Sequence, residues 1–496
     1  MKNFDFKFYA RTQTAVLFSM LVCNHGNVFA QVKAQANNAP DNADTKYNVL
    51  FIVADDLNCD MGCFDDPIVK TPNLDKLRQH AVRFNNSYCQ YPFSGPSRAS
   101  FLTGYSPNRT GVIDLQANFR DNLPAAVTLP ELYKKNGYFT ARVGKVFHAG
   151  VPNDIGKAGK DDPQSWVDTF NPIGIDKTEE DKVINYTPQR PLGSALSFMI
   201  TNGSDDEHTD AIGANIACSM IKENKNKPFF IAMGFYRPHS PYVAPKKYFD
   251  LYPIEQITLP EVPENDWENR PIYERFTDPI NWGVAEDRLK EAKRAYYATI
   301  SFMDAQIGKL LTTLEKEGLI NKTIVVFCSD NGYNLGQHGM WMKQALFEHT
   351  TRTPLIISVP GITNKEAKSS RIVEMLDIYP TLANLCELKH IPQDLDGRNL
   401  MPLLKDVNAQ WDDVATSLVV RTGNPSIKYM KKGEKVIGKS IRVERYRYTE
   451  WDNGEKGGEL YDYQVDPNEN NNLYNNPKYR KIQEELKLGL RSKMPQ

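Results

Sequence analysis

Asn48 to Asp56 reads NVLFIVADD, six apolar residues in a row between an asparagine and two adjacent carboxylates. A run of strand length with no polar alternation is one that is covered on both faces, as in a parallel sheet. Tyr138–Val143, Phe229–Phe235, Thr323–Ser329 and Leu355–Val359 have the same character. Helical patterns lie between them. Thr71-Pro72 reads as an N-cap and first-turn proline, opening a helix with Leu74, Leu77 and Ala81 on one face, and the longest pattern runs from about Glu286 to Glu317. This order predicts an α/β fold with a large, mostly parallel central sheet flanked by helices. The tail differs: Ser440–Trp451 mixes β-branched and aromatic residues with charges, Gly454, Gly457 and Gly458 punctuate it, and helix resumes from Tyr479. A smaller C-terminal subdomain with an antiparallel sheet and a helix is expected there.

Working outward, the 496 residues carry 60 Lys and Arg against 61 Asp and Glu. No global field draws in nucleic acid or an anionic membrane, so an anionic ligand has to be held locally. Lys2, Lys7 and Arg11 precede an apolar run from Thr14 to Cys23, and Val28-Phe29-Ala30 follows. That pattern predicts a signal peptide over 1–30 and a periplasmic or secreted protein, with a linker over 31–45, a catalytic domain over 46–405 and the subdomain over 406–496. The apolar run falls short of the about 20 residues that cross a bilayer, and no later one is longer, so no membrane span is expected. Val22 is bulky for a lipoprotein site at Cys23. Cys59, Cys63, Cys89, Cys218, Cys328 and Cys386 are too few for a disulfide scaffold in a chain this long and are read as structural.

Ligands of open α/β sheets gather outside the carboxyl ends of the strands. Two polar pairs fall there: Asp55-Asp56 after the first run, and Asp330-Asn331 after TIVVFCS. Adjacent carboxylates at the end of a buried strand repel one another and lose solvation unless something positive sits among them. Oxygen donors of this kind suit Ca2+, with Mg2+ as the alternative. Either pair alone could be a helix cap; the two together favour a metal.

The stretch from Phe93 to Pro107, FSGPSRASFLTGYSP, carries a resemblance. Ser94-Gly95-Pro96-Ser97-Arg98 with Leu102-Thr103-Gly104 resembles the signature of the type I sulfatases of the alkaline phosphatase superfamily, whose Cys or Ser is oxidised to formylglycine. GKVFHAG from Gly144, GFYRPHSPY from Gly234, LGQHGMWMK from Leu335 and RYRYTEW from Arg445 are similar to the iduronate-2-sulfatase-like branch, although that branch has Asp-His where this chain has Asp330-Asn331. The resemblance implies an alkaline phosphatase-like sandwich. It also implies a metal held by Asp55, Asp56, Asp330, Asn331 and the modified Ser94, whose aldehyde hydrate attacks sulfur. Arg98 would orient that hydrate, Lys145 and Lys343 would meet sulfate oxygens, His148 would sit beside the nucleophile, and His239 would serve as general acid or sulfate ligand. His338 would meet substrate or shape the loop that delivers Lys343. Arg237, Lys246 and the segment Arg442–Trp451 would meet a uronate carboxylate and sugar faces, or form a solvated strand face. A serine at the modified position implies an anaerobic-type maturase and a bacterial source. The function implied is hydrolysis of sulfate esters on a sulfated saccharide, from glycosaminoglycans or algal polysaccharides; a phosphoester or phosphonate hydrolase and a catalytically idle polysaccharide-binding protein are the alternatives.

Overall fold

A computed structural model describes residues 46–363, 366–423 and 429–494. The signal-peptide and linker expectations fall on residues outside these. Among the described residues, no helix is long and apolar enough to cross a membrane.

The central sheet has eight strands: β1 (Asn48–Asp55), β2 (Val82–Tyr88), β3 (Phe139–Gly144), β4 (Asp168–Phe170), β5 (Phe229–Pro238), β6 (Thr323–Ser329), β7 (Arg352–Ser358) and β8 (Ala367–Glu374), in the order β8-β2-β7-β6-β1-β5-β3-β4. β1 pairs in parallel with β5 and β6, β3 in parallel with β5 and β4, and β8 in parallel with β2. β7 alone runs against its neighbours, antiparallel to both β6 and β2. The five apolar runs are therefore all strands of one sheet, but the last of them, Leu355–Val359, points the other way. Hydrophobic pattern gives burial and not direction.

β1 lies in the middle of the sheet with all eight residues buried. Its alternate side chains feed two cores. Leu50, Ile52 and Ala54 join the face covered by the helices Thr209–Glu223 and Glu286–Lys316. Val49, Phe51 and Val53 join the face covered by the helices Ser94–Thr103, Leu129–Lys135 and Ile378–Leu385. Full burial of a large apolar side chain contributes about 1.5–3 kcal/mol. The five from Val49 to Val53 together outweigh the several kcal/mol that an ion taken out of water costs at the strand's end.

The helix opened by Thr71 spans Pro72–Arg78, shorter than the pattern suggested. Ala81 is buried but lies beyond its end, and the Thr71 hydroxyl accepts from Cys63 N–H at 3.2 Å instead of capping. At the C-terminus, Val414–Thr422, Lys435–Val443, Tyr446–Trp451 and Gly458–Asp462 form a four-stranded antiparallel sheet, followed by the helix Arg480–Lys493.

Candidate active site

Because seven strands run the same way, their carboxyl ends share one edge of the sheet. β1 delivers Asp55 and Asp56 there, β6 delivers Asp330 and Asn331, β3 delivers Lys145 and β5 delivers His239. β2 leads through a short loop to Ser94, the first residue of the helix Ser94–Thr103. Phe93 gives that helix no side-chain cap, so its first-turn N–H groups are left for an anion.

Adjacent residues of a strand point to opposite faces, so Asp55 and Asp56 would diverge if β1 continued. It does not: Asp56 takes a left-handed conformation with φ 65°. The kink is held by Tyr296, whose hydroxyl donates to Asp56 O at 2.8 Å and accepts from Asn58 N–H at 3.0 Å. Asp56 N–H in turn donates to Asp330 Oδ1 at 3.1 Å. One oxygen from each of Asp55, Asp56 and Asp330 then lies within 4.8 Å of the other two. On β3, Gly144 has φ 72°, and a Cβ there would sit 2.2 Å from Gly234 O. Only glycine lets the chain pass β5 this closely and turn Lys145 inward.

Three cations are set among the three carboxylates. Arg98 is fully buried: Nε donates to Asp330 Oδ2 at 2.7 Å, Nη2 to Asp55 Oδ1 at 3.3 Å and Ala54 O at 3.2 Å, and Nη1 to the carbonyls of Lys145 and Val146. Each of its five N–H bonds is used on the ends of β1, β6 and β3. It therefore ties the site together and has no donor left to hold a nucleophile, which differs from the orienting contact expected of it. Lys145 Nζ lies 2.5 Å from Asp55 Oδ2, and Lys343 Nζ lies 2.5 Å from both oxygens of Asp56. Ser94 Oγ donates to Asp55 Oδ1 at 3.1 Å.

The acids respond differently. Burial alone would raise Asp55, but Lys145, His239, Arg98 and Lys343 outweigh it and hold the carboxyl well below the usual range. Burial dominates at Asp56, and with Asp55 and Asp330 nearby it pushes that carboxyl up to about 6 against the pull of Lys343. Asp330 is raised by burial, which Arg98 opposes. His239 is driven well below the ordinary histidine value by burial and by Lys343; Nδ1 faces Ser240 O at 2.6 Å, so it carries the proton, and Nε2 faces Asp56 Oδ2 at 3.5 Å. His148 is lowered to about 2 by burial and Lys145, and its Nδ1 is buried without a partner.

Asn331 supplies the test of fit for a cation. Its Nδ2 donates to Asp56 Oδ1 and Gly332 O, both at 2.9 Å, while its Oδ1 is buried with no hydrogen-bond donor at all. A bare acceptor beside three converging carboxylates is a costly arrangement in protein alone. It is an all-oxygen donor set suited to a hard divalent ion.

The other predicted residues are not brought to this cluster as free groups. Arg237 is buried and pairs with Asp176 at 2.5 Å, while its Nη1 donates to His239 O at 3.3 Å. It braces the histidine and has no free carboxylate-binding face. Lys246 is exposed and pairs with Asp250 at 2.5 Å, one turn along its own helix. His338 is buried on Phe347, ring centroids 4.2 Å apart, with Nδ1 3.2 Å from Asp266 Oδ2. It shapes the loop leading to Lys343. Arg442 and Arg447 are neither solvated nor free: both are buried against Glu348, and Arg447 also pairs with Glu469 at 3.0 Å. Nothing in the sequence signals the roles of Tyr296 and Asp176; a tyrosine inside a long helix and an acid in the short helix Ile175–Thr178 carry no signature of holding a distant kink or histidine.

The Sulfatase family profile matches residues 47–388, and the profile of the N-sulphoglucosamine sulphohydrolase C-terminal region matches residues 336–496. The chain is 32% identical to iduronate 2-sulfatase of Homo sapiens, over 94% of this chain and 97% of that one. It is 31% identical to a sulfatase of Formosa agariphila, over 90% and 86%. The structure of the phosphonate monoester hydrolase of Agrobacterium radiobacter superposes with a TM-score of 0.75 at 23% identity, covering 90% of this chain and 96% of that one; at that distance the likeness speaks for the fold alone.

Proposed function

The chain belongs to the sulfatase family, as a sulfuric ester hydrolase, and from that premise we propose that it cleaves sulfate esters of an anionic saccharide with Ser94, matured to formylglycine, as nucleophile. The observation that carries the reading is the convergence of Ser94, three acids, two lysines and the bare Asn331 Oδ1 at one sheet edge.

Asp55, Asp56, Asp330 and Asn331 would hold Ca2+, or Mg2+ in its place. Bound there, the ion would supply Lewis acidity toward the nucleophile and offset the carboxylates' charge. A serine hydroxyl is a weak nucleophile at its own pKa, and the hydrated aldehyde at position 94 would supply a more reactive one. With the carboxylates so engaged, the Lys145 and Lys343 ammoniums are free to meet sulfate oxygens, where charge builds as the ester bond breaks. Arg98 holds Asp55 and Asp330 in place and acts through them. His239, its Nδ1–H spent on Ser240 O, can offer a proton to the leaving alcohol only on Nε2, so general acid work requires its doubly protonated form. His148, which the resemblance sets beside the nucleophile, has a buried Nδ1 without a partner that can accept a hydrogen bond from a hydroxyl at position 94.

The same proposal includes export directed by residues 1–30 to the periplasm or exterior, maturation by an anaerobic-type formylglycine-generating enzyme, and division into a catalytic domain over 46–405 and a C-terminal subdomain over 406–496. Relatives named for iduronate and for other sulfated substrates support a sulfated oligo- or polysaccharide as the substrate class. The test is the mass of the tryptic peptide Phe84–Arg98. Material made with the maturase should lack two hydrogens at Ser94, and turnover should track that fraction. Full turnover with unmodified serine would remove the proposed nucleophile, and modified protein idle on every sulfate ester would support a binding role.

A further inference from the structure

Most buried arginines here are matched to acids: Arg98 to Asp330, Arg237 to Asp176, Arg270 to Asp266 and Arg447 to Glu348. Arg190 is not. Among the described residues no carboxylate oxygen lies within 4.0 Å of it. It is half-buried, its Nε donates to Ser194 O, and its guanidinium carbon lies 4.3 Å from the ring centroid of Trp282. Nη1 and Nη2 have no protein acceptor among the described residues. The platform beneath it is unusual too. Trp282 is 7% exposed, its Nε1 is buried without a partner, and Asn281, Trp282 and Gly283 are left-handed in succession, at φ 52°, 49° and 68°. A strained loop carrying an orphaned donor persists only where the surroundings impose it.

Two paths lead from this pair to the reaction centre. Gly193, three residues after Arg190, is so close to His239 that a Cβ there would lie 3.5 Å from Cε1. Asn281, next to Trp282, accepts from Trp341 Nε1 at 2.9 Å, two residues before Lys343. Burial pulls the Arg190 pKa down, and no carboxylate among the described residues pairs with it, so the charge is partly desolvated in advance of any partner.

We propose that Arg190, laid on Trp282, is a specificity-determining residue that takes a second oxyanion of the saccharide while the sulfate ester lies among the acids; this rests on the sulfatase reading of that site. The two free edges of a guanidinium fork match a planar carboxylate, and a second sulfate shares the chemistry. It replaces Arg237 and Lys246 in the role expected of them, since both are spent on acids of the chain.

The experiment is calorimetric binding to full-length Ser94→Ala protein, with and without Arg190→Ala or Arg190→Lys. The probes are a 2-sulfated uronate disaccharide, its carboxyl methyl ester, and mono- and disulfated hexosamines. The Ser94→Ala parent should prefer the free acid to its ester about ten- to a hundredfold, the scale of a charged hydrogen bond. Arg190→Ala should shrink that ratio to within twofold, and Arg190→Lys, which keeps the charge but not the fork, should retain an intermediate ratio. If the lost preference is instead that for the disulfated over the monosulfated hexosamine, sulfate is the second oxyanion. A parent without preference, a ratio that Arg190→Ala leaves intact, or loss of all binding in both variants overturns the proposal. Sulfate release by matured wild-type enzyme is read separately, so the sulfatase reading and the role of Arg190 can fail independently.

Discussion

Of two clusters of buried charge among the described residues, one at the sheet edge and one where the C-terminal sheet meets Glu348, only the first leaves acceptors unmet. In the C-terminal cluster every Glu348 oxygen is met: Oε1 accepts from the Tyr88 hydroxyl at 2.9 Å, and Oε2 from Arg447 at 2.6 Å, the Tyr463 hydroxyl at 3.2 Å and Arg442 at 3.4 Å. Burial would raise this carboxyl, but Arg442, Arg447 and Arg352 bring it down to about 2. At the sheet edge like charges are crowded instead, Asp56 is pushed up to about 6, and the Asn331 and His148 acceptors go unmet. The two also differ in their cations. Arginine forks fix the C-terminal pairs in one geometry, whereas Lys145 and Lys343 end in point charges that can change partner. A completed network holds structure; an incomplete one holds a place for ligands.

If that contrast is right, removing one atom at the sheet edge should destroy turnover and spare the fold. Ser94→Ala should reduce turnover by about a millionfold, the scale of deleting a nucleophile. The lost hydrogen bond to Asp55 should cost only about 1 kcal/mol of stability. Steady-state rates and denaturant melts on the same preparation check both halves. A large loss of stability would mean that this cluster, too, is structural.

Lys343→Ala comes next in size. Losing one fixed charge on the departing sulfate should cost about 3 kcal/mol of transition-state stabilisation, roughly a hundredfold in kcat/KM. A change under tenfold would leave Lys343 as no more than a counter-ion to Asp56, and would erase the distinction drawn between lysine and arginine clusters.

Much of this was legible in sequence, and the parts that were not share a cause. NVLFIVADD and TIVVFCSDN reveal both the central strands and the acids they deliver, because a doubly buried strand must be apolar along its length and whatever follows it must leave the sheet. β2, VRFNNSY, was missed as a strand: Arg83 finds Asp65 at 2.7 Å and Asn86 finds Ser370 O at 2.7 Å, so polar residues are tolerated in it by contacts that only folding creates. The same holds for Arg237, Lys246 and Arg442, whose charges looked available because their partners Asp176, Asp250 and Glu348 could not be assigned from spacing, even for the pair one turn apart. Arg190 errs in the other direction. Nothing in TPQRPLG sets it apart, and its lack of an acidic partner emerges only from the folded contacts.

The smallest effect tests the completed cluster. Glu348 has a folded pKa depressed from 4.5 to about 2, so the folded state binds its proton less readily than the unfolded chain. Its stabilisation is full above pH 4.5 and is lost as pH falls from there toward 2. Between pH 7 and pH 4 this single group should withdraw about 1 kcal/mol. Glu348→Gln keeps the shape and cannot ionise, so the difference in unfolding free energy between wild type and Glu348→Gln should narrow by that amount over the interval. Acid titration of denaturant midpoints measures it. A difference that stays constant with pH would show that Glu348 is not held ionised by its arginines, and the claim that this network is complete would go with it.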